Sequence, residues 1–557
     1  MNLLLAWANI NEYLALLART SDTFYTMPSL NLNPPDTYKK HIALLIGASS
    51  FVKLIVAYLI GLGNDEVYYW TYALHLNWSY FDHPPFVAWL IRVTTLDLTM
   101  HNEVFVRLGA ILASAGSTWI IYRIGSIIKD ERTGWYAALL FTASIYSSII
   151  AGLFILPDSP QAFFWFWAVY LLIKILQQKD DRKLWSLWLL FGLASGLCIL
   201  CKVHGIFLWL GVGIYALLFN RSWFRNTWMY FGGVITLILM SPIVIWNFQN
   251  DFITYTFHSS RVAIQTTSIN TLGFYREIFG QFFYNNPINF LLIWVSIWHI
   301  TQKKNFSKWC IYTRLMLCCF LPLIFTLLFL ALFRDTLPHW SGPSYSGLLI
   351  LAALYLADLK KNSQLLFPPI IKWSLSLITI IVIAGVFVVN FYPGTLSPNK
   401  AHIGAGDPTL DMYGWDQFGL QMDSIYRKDR ASGMMPPDSR IIISKWFPAA
   451  HIDYYVSTKT NLNTYALGTL FDLHEYALTN KFKKPLHKGD CAYFIQPSTT
   501  YQDEFPEKLD QYFEQIDKDP IVLTQYRGGR ICRLFLVFRL KSFKPTNNMF
   551  DSFGALK

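Results

Sequence analysis

Acidic and basic side chains are concentrated in one aromatic-rich stretch, GNDEVYYWTYALHLNWSYFDHPP at residues 63–85, which follows a long apolar run. It contains Asp65, Glu66, Asp82 and His83. A carboxylate held beside a substrate hydroxyl or amine can act as a general base. Carboxylates at such a position are costly if lipid covers them, so they require water or a charged partner. The stretch therefore predicts a polar site, suited to acid–base chemistry, at the edge of a membrane.

Purely structural roles for these residues are the alternative interpretation. Asp65 could cap a helix, while Asp82 and His83 could hydrogen-bond to the backbone of a turn. Such a turn is expected because Pro84 and Pro85 cannot continue a helix and restrict the residue before them. The choice between the two interpretations depends on the rest of the chain.

More ionisable side chains of both signs occur between other apolar runs. They are Asp158, Lys202, His204, His258, Arg261, Arg334, Asp335 and His339. Lys and Arg can hold a phosphate, and Arg can do so with two hydrogen bonds. Any single one could instead be a snorkelling or loop residue, but helix packing could gather the whole set around one cavity. We therefore expect a cavity at the membrane edge that accepts a phosphate-bearing substrate.

The amino-acid composition places these residues in an integral membrane protein. Of the 557 residues, 54% are hydrophobic and only 15% are charged, whereas charged residues make up about a quarter of a soluble domain. The net charge is +11, but much of the excess Lys and Arg lies in short clusters between apolar runs, as in cytoplasmic loops. The composition predicts a polytopic α-helical membrane protein and argues against nucleic-acid binding.

Eleven apolar segments have about the length that a membrane span requires. They cover approximately residues 42–62, 104–126, 133–154, 159–177, 184–201, 205–220, 227–246, 288–302, 311–333, 338–357 and 369–391. The connections after the second, fourth, sixth, eighth and tenth segments are rich in Lys and Arg, so the positive-inside rule assigns them to the cytoplasm. The acid- and His-bearing connections then face outward, together with the chain after about residue 392.

Three regions follow from this topology. Residues 1–40 are a cytoplasmic or interfacial segment with a short amphipathic helix, residues 41–392 are the transmembrane domain, and residues 393–557 are a soluble domain outside the membrane. Amphipathic patterns in the first outward connection predict helices on the membrane surface. The runs RIIISKWF, CAYFIQP and RICRLFLVFRL in the tail predict strands of an α/β domain. Cys491 and Cys532 could form a disulfide there if the tail is exported.

Several motifs together resemble a known family. DEVYYW, YFDHPP, LPDSP, KVHG, SPIVIWNFQND and a late HW occur in this order within about residues 45–345. In these motifs the chain is similar to the bacterial membrane glycosyltransferases related to protein O-mannosyltransferases and aminoarabinose transferases, in the GT-C superfamily. The resemblance implies the GT-C architecture and a sugar donor carried on a polyprenyl phosphate. It also implies transfer to lipid A, another glycan or a protein at the periplasmic side of the bacterial inner membrane.

The resemblance implies roles for individual residues as well. Asp65 matches the first-loop acid taken as the catalytic base, with Glu66 beside it, and Asp158 matches the second-loop acid that helps to shape the site. These three are the predicted catalytic residues. The predicted donor- and substrate-binding residues are Asp82, His83, Lys202, His204, His258, Arg261, Arg334 and His339. The aminoarabinose branch tends to have Lys where this chain has His83, which argues against an aminoarabinose donor.

No cofactor is expected to be required. The chain has no P-loop motif and no strand-anchored G-x-G-x-x-G, which fits a reaction driven by a lipid-phosphate leaving group. A divalent metal stays possible because Asp65, Glu66, His83 and Asp158 could supply hard ligands. The expected partners are the polyprenyl-phosphate sugar donor, the acceptor and membrane lipids.

Two other functions also fit a hydrophobic chain. A transporter or flippase of a lipid-linked sugar would use charged residues at helix ends too, but it would be expected to have polar features at the midplane or on both faces. A membrane-embedded scaffold would explain the composition but not the outward sorting of acids and bases. We therefore predict a glycosyltransferase that works by a single inverting displacement, with the transporter as the alternative.

Overall fold

The structure is a computed structural model that describes residues 36–262, 269–362, 365–399, 401–501 and 509–545. The described chain is mostly helical up to Phe391 and continues as a smaller domain of mixed helices and strands. The amphipathic helix predicted near the N-terminus lies outside the described residues.

Fifteen helices form the first and larger part of the described chain. They are α1 (Asp36–Leu59), α2 (Asn64–Leu74), α3 (Phe86–Thr94), α4 (Glu103–Ile128), α5 (Glu131–Ala143), α6 (Asp158–Gln177), α7 (Asp181–Cys201), α8 (Phe207–Leu218), α9 (Thr227–Gln249), α10 (Ile253–Val262), α11 (Thr271–Tyr284), α12 (Pro287–Thr301), α13 (Lys303–Ala331), α14 (Gly342–Asp358) and α15 (Pro369–Phe391).

Seven helices within the described ranges are long and apolar enough to cross a membrane, namely α1, α4, α6, α7, α9, α13 and α15. Each of the eleven apolar segments of the sequence contains a helix, but α5, α8, α12 and α14 are shorter than eighteen residues. The protein is thus a multi-pass membrane protein, as predicted, with seven full-length candidate spans and four shorter helices in the described residues rather than eleven equivalent spans.

The connection predicted to be the first outward one, residues 63–103, folds into two helices joined by the proline turn. The aromatic stretch forms α2, and α3 begins directly after Pro84 and Pro85, because proline is well accepted at the start of a helix. This agrees with the predicted helices. However, residues 66–73 of α2 are all buried, so the helix does not expose one whole face as a surface helix would.

The second domain contains a six-stranded sheet with the strand order β2-β1-β3-β6-β4, and β5 also pairs with β6. The strands are β1 (Arg440–Ile443), β2 (Thr464–Ala466), β3 (Ala492–Pro497), β4 (Phe513–Ile516), β5 (Ile521–Arg527) and β6 (Arg530–Phe543). The helices are α16 (Trp415–Ala431), α17 (Trp446–Ile452), α18 (Thr458–Thr460), α19 (Leu470–Leu473) and α20 (Glu475–Thr479). The first two predicted strand runs contain β1 and β3, and the third covers most of β6, so the predicted α/β domain is confirmed.

The hairpin between β5 and β6 depends on two glycines. Gly528 and Gly529 have φ angles of +53° and +76°. A two-residue hairpin turn of this kind needs positive φ at both central positions, which glycine adopts without steric cost. The turn brings β6 back along β5 and leaves its other edge to pair with β3.

A buried arginine attaches this hairpin to α15 and to the segment that follows it. The Arg527 guanidinium lies 3.0 Å from the Asp407 carboxylate, and neither side chain is exposed. Arg527 also donates to the carbonyl oxygens of Gly394 and, at the end of α15, Val389. The sheet is therefore held directly against the end of α15.

Cys491 and Cys532 are both free thiols. Cys491 precedes Ala492, which pairs with Leu540 on β6. Cys532 lies on the same strand but about 26 Å further along, at roughly 3.3 Å per residue. The two sulfur atoms are therefore too far apart for the disulfide that the sequence left open.

One hydrophobic core joins the second domain to the first outward connection. It includes Val67 and Tyr72 of α2, Val87 of α3, and Trp415 and Phe535 of the second domain. This shared core explains why α2 is buried on nearly all sides. The second domain covers the face of α2 that would otherwise contact water or lipid headgroups.

Candidate active site

The centre of the candidate site is a buried ion pair between two helix ends. Asp158 begins α6, and Lys202 directly follows α7. The Lys202 Nζ atom lies 2.8 and 3.0 Å from the two carboxylate oxygens of Asp158, and their side chains are only 6% and 5% exposed. The Tyr146 hydroxyl donates a further hydrogen bond of 3.2 Å to Asp158. The two predicted site residues therefore lie together, in direct contact.

Histidines surround this pair. Burial, and then the charge of Lys202, lowers the pKa of His83 well below its usual value. Burial lowers the pKa of His339 to about 4, with the Asp158 carboxylate opposing the shift. The His204 ring lies 5.6 Å from that of Trp340, and its Nδ1 atom is buried without a hydrogen-bond partner in the described part of the chain. Because His83 and His339 are neutral near pH 7, they can bind a phosphate or hydroxyl without adding charge.

Two more acids lie near the pair, Asp65 on α2 and Asp82 on the turn that precedes α3. Burial, followed by the carboxylates of Asp65, Asp82 and Asp158, raises the pKa of Tyr69 well above its usual value. Tyr69 thus lies within electrostatic reach of all three carboxylates. Asp65 is in the first turn of α2 and is exposed. It is the predicted catalytic acid that remains accessible to a substrate.

The Asp82 turn is held by contacts on several sides. The Tyr72 hydroxyl donates to the Asp82 carboxylate, and the Tyr68 hydroxyl does so at 3.5 Å. The His258 Nε2 atom lies 2.7 Å from the Asp82 carbonyl oxygen. These contacts place Asp82 and His258 beside His83, so the structure gathers most of the predicted donor-binding residues.

Comparison with known proteins adds a family model and a curated relative. The model, described as dolichyl-phosphate-mannose-protein mannosyltransferase, matches residues 82–246, the range that carries the Asp82 turn and the Asp158–Lys202 pair. The lipid A galacturonosyltransferase RgtD of Rhizobium johnstonii is 22% identical over 353 residues, which cover 63% of this chain and 69% of that protein.

Two solved structures of ArnT from Cupriavidus metallidurans share the fold. The apo structure has a TM-score of 0.56 and 14% sequence identity, covering 90% of this chain and 98% of ArnT. The structure bound to undecaprenyl phosphate has a TM-score of 0.56 and 15% identity, covering 89% and 98%. The chain therefore has the GT-C fold of ArnT, and both the family model and the curated relative that it resembles are glycosyltransferases. The predicted enzyme class is confirmed, and the transporter alternative is disfavoured.

The contacts of Glu66 in this glycosyltransferase do not fit the catalytic role that the sequence predicted for it. Its carboxylate is buried and forms two hydrogen bonds, of 2.6 and 2.8 Å, with the guanidinium of Arg107 on α4. It also accepts hydrogen bonds from the backbone N–H groups of Gly63 and Ile155. A carboxylate used in this way is not available to a substrate. The arrangement favours a positioning role, in which Glu66 joins α2, α4 and the segment before α6.

Two predicted basic residues are less well defined. The backbone of Arg261 is in α10, but its side chain lies outside the described part of the structure. Arg334 is half-buried just after α13, on the segment that leads to His339. Their roles in binding the donor therefore stay predictions.

The second domain contributes three residues that the sequence analysis missed. Burial raises the pKa of Asp411 to about 6, and its side chain hydrogen-bonds to that of Asn64 at the start of α2. Glu475 is buried, and its Oε2 atom accepts a 2.8 Å hydrogen bond from the N–H of Phe81, next to Asp82. The ring of His474 stacks on that of Phe81 at 4.9 Å. The second domain therefore contacts both the catalytic helix and the Asp82 turn. Of these three residues, only Asp411 lies in a segment, DPTLDMYGWDQFG at residues 407–419, that loosely resembles the same family.

Replacing Glu475 with Gln is expected to change the pH dependence of stability. Burial raises the pKa of Glu475 from 4.5 to about 8. Between these values the unfolded chain releases a proton that the folded chain keeps, so Glu475 lowers stability as the pH rises, by up to about 1.4 kcal/mol per pH unit. Gln can still accept the hydrogen bond from Phe81. The variant should melt at a similar temperature to the wild type at pH 5 and several degrees higher at pH 8.

The measurement is thermal unfolding of the detergent-solubilised protein at both pH values. Glu475→Ala provides the matched comparison, because it removes the acceptor for Phe81 and should melt lower than Glu475→Gln throughout. A melting difference between wild type and Glu475→Gln that is the same at pH 5 and pH 8 would contradict the assignment of Glu475 as a protonated, buried group.

Binding of a divalent metal stays a prediction of the sequence. In the ranges that the structure describes, no three His, Cys, Asp or Glu side chains are grouped so that they could hold a metal ion. Asp158 pairs with Lys202 and Glu66 with Arg107, and both cations would compete with a metal for these carboxylates.

Proposed function

We propose that this enzyme transfers a sugar from a polyprenyl-phosphate donor to an acceptor at the outer face of the bacterial cytoplasmic membrane. The observation that carries the proposal is the buried Lys202 ammonium. It lies at the end of a membrane-spanning helix, among neutral histidines and close to the face of α2 that carries Asp65. The phosphate of a lipid whose tail lies in the membrane would reach this fixed positive charge at the end of α7.

The reaction that fits this arrangement is a single inverting displacement. The Asp65 carboxylate takes the proton from an acceptor hydroxyl or amine, whose oxygen or nitrogen attacks the anomeric carbon of the donor sugar. The bond between that carbon and the phosphate oxygen breaks as the new bond forms. Lys202 stabilises the negative charge on the departing lipid phosphate, and His83 and His339 can donate hydrogen bonds to it. Asp158 keeps Lys202 in place before the donor arrives.

The donor and acceptor classes are supported by the similar proteins. ArnT has been crystallised with undecaprenyl phosphate, and RgtD is named for the transfer of galacturonic acid to lipid A. We therefore take a polyprenyl phosphate as the carrier and lipid A as the first acceptor to test, before another glycan or a protein. His83, which stands where the aminoarabinose branch tends to have Lys, argues for a sugar other than aminoarabinose.

The proposed orientation places the site on the periplasmic side. Lys129 and Arg132, after the second apolar segment, contact Asp358 and the carbonyl oxygen of Ala357 after the tenth. These two Lys- and Arg-containing connections therefore lie at the same end of the helices. The opposite end carries the candidate site. The positive-inside rule assigns the first end to the cytoplasm, which supports a periplasmic site and a periplasmic second domain.

Release of free polyprenyl phosphate tests the function directly. Purified enzyme in detergent is incubated with synthetic polyprenyl-phosphate sugars and with a membrane extract or purified lipid A as acceptor. Acceptor-dependent release of the lipid phosphate, with the sugar recovered on the acceptor, is the expected result. Movement of the lipid-linked sugar across vesicles without any release would instead support a flippase.

A further inference from the structure

A cleft lined by polar, charged and aromatic side chains lies on the other side of α2 from Asp65. Its volume is about 570 Å³, which is within the usual size range of ligand pockets. Trp70, Thr71 and Leu74 line it from α2. Because each residue turns a helix by about 100°, these positions lie on the opposite face from Asp65 and Tyr69. Helix α2 therefore separates this cleft from the candidate active site, at a distance of about 10 Å, the width of one helix.

Buried titratable groups form the inner wall of the cleft. Asp453 is 8% exposed and accepts hydrogen bonds from Thr464 at 2.8 Å and Tyr476 at 2.7 Å. The Lys483 Nζ atom donates to Thr464 at 2.7 Å, and burial lowers its pKa. Glu475 lines the same wall. Buried titratable groups in a cavity are typical of binding sites, and the active-site chemistry described above does not use these two residues, Asp453 and Lys483.

The outer rim combines a stacked pair of rings with uncharged polar groups. The rings of His75 and Phe482 stack at 4.8 Å with an interplanar angle of 23°, and Phe482 is 54% exposed. Hydroxyl and amide side chains that line the cleft include Thr71, Ser439, Ser457, Thr458, Asn461 and Asn463. Rings offer a flat apolar surface, and these side chains both donate and accept hydrogen bonds. The charged lining residues are mixed in sign, with Arg440, Lys483 and Lys484 against Asp438 and Asp453.

We propose that this cleft binds a saccharide, neutral or weakly anionic, and that it holds a sugar portion of the acceptor while the reacting group lies near Asp65. The charged groups of the inner wall disfavour a lipid tail. A strongly charged ligand would be repelled by those lining residues that carry the same sign of charge. Sugars combine apolar ring faces with hydroxyls that donate and accept hydrogen bonds, which matches the stacked rings and the amides of the rim. The assignment to the acceptor rests on the proposed function, whereas saccharide binding itself does not.

Saccharide binding by the full-length protein in detergent tests the proposal. The probes are two uncharged sugars, the N-acetylglucosamine disaccharide and maltose, with binding followed by saturation-transfer NMR and titration. The wild type is expected to bind at least one probe. Phe482→Ala and Asn463→Ala should each weaken that binding roughly tenfold, since a lost stacking or hydrogen-bond contact costs about 1 kcal/mol or slightly more. Both side chains are exposed, so the variants should fold.

Tyr526→Ala is the matched control, because Tyr526 is a 56% exposed aromatic residue on β5 that does not line the cleft. It should bind the probes as the wild type does. Failure of the wild type to bind either probe would overturn the proposal, as would equal binding by Phe482→Ala, Asn463→Ala and Tyr526→Ala. The binding assay contains no donor, so its result is independent of whether polyprenyl phosphate is released in the transfer assay.

Discussion

Replacing Asp65 with Asn is expected to lower the rate of sugar transfer by about 10²–10⁴-fold, the range over which a positioned general base contributes to catalysis. Asn has nearly the same shape as Asp but cannot take a proton from the acceptor. Asp65 is in the first turn of α2, exposed, and within the electrostatic environment of Tyr69. The substitution should therefore leave the helix and the fold intact.

Kinetics with a saturating donor check this expectation. The kcat for polyprenyl-phosphate release should fall, while donor affinity stays within about threefold of wild type because Lys202 is unchanged. Asp97→Asn is the matched control: Asp97 is also an acid on the first outward connection, but it pairs with Arg92 and its side chain is 72% exposed. If Asp65→Asn transfers sugar at the rate of Asp97→Asn, Asp65 is not the base.

Replacing Lys202 with Met should damage both the activity and the stability of the enzyme. The loss of a preorganised cation facing the leaving phosphate is expected to lower kcat/KM by about 10²–10³-fold. The same change leaves the Asp158 carboxylate buried without its cation. Breaking a buried ion pair in this way costs about 3–5 kcal/mol, so the melting temperature should fall clearly.

A double variant separates the two effects. In Asp158→Asn/Lys202→Met both charges are removed, so most of the lost stability should return, whereas transfer should stay as weak as in the single variant. Lys129→Met is the control at the opposite end of the helices, where its partly exposed pair with Asp358 should contribute no more than about 1 kcal/mol. Recovery of activity together with stability in the double variant would show that Lys202 acts on the fold alone.

The acidic connections illustrate what could be predicted from local pattern. The aromatic stretch with Asp65 forms a helix, and the double proline ends the next turn, because helix periodicity and the restrictions of proline act over a few residues. Asp82, His83, Asp158 and Lys202 were expected around one cavity, and they are found together. Outward sorting of charges was enough to predict this grouping. It did not predict that Asp158 and Lys202 would pair directly.

Glu66 shows where local pattern ceases to be informative. It is adjacent to Asp65 and chemically almost the same, yet the two side chains point in directions about 100° apart on the helix. Only the position of α4 decides that Glu66 meets Arg107 and is buried, whereas Asp65 remains exposed. Sequence reasoning therefore assigned the same role to two residues that the packing of one helix separates.

The features that the sequence did not predict depend on contacts between residues far apart in the chain. Hydropathy, charge sorting and strand patterns, all of which are properties of short segments, suffice for the multi-pass helical domain, the grouping of the acids and the mixed second domain. Glu475 and Phe81 are separated by 394 residues in the chain, and no short segment contains information about their contact. The burial of α2, the contacts of Glu475 and His474 with the Asp82 turn, and the cleft on the other side of α2 all arise where the second domain packs onto the first outward connection. These features depend on how two distant surfaces fit together, so they became visible only in the folded structure.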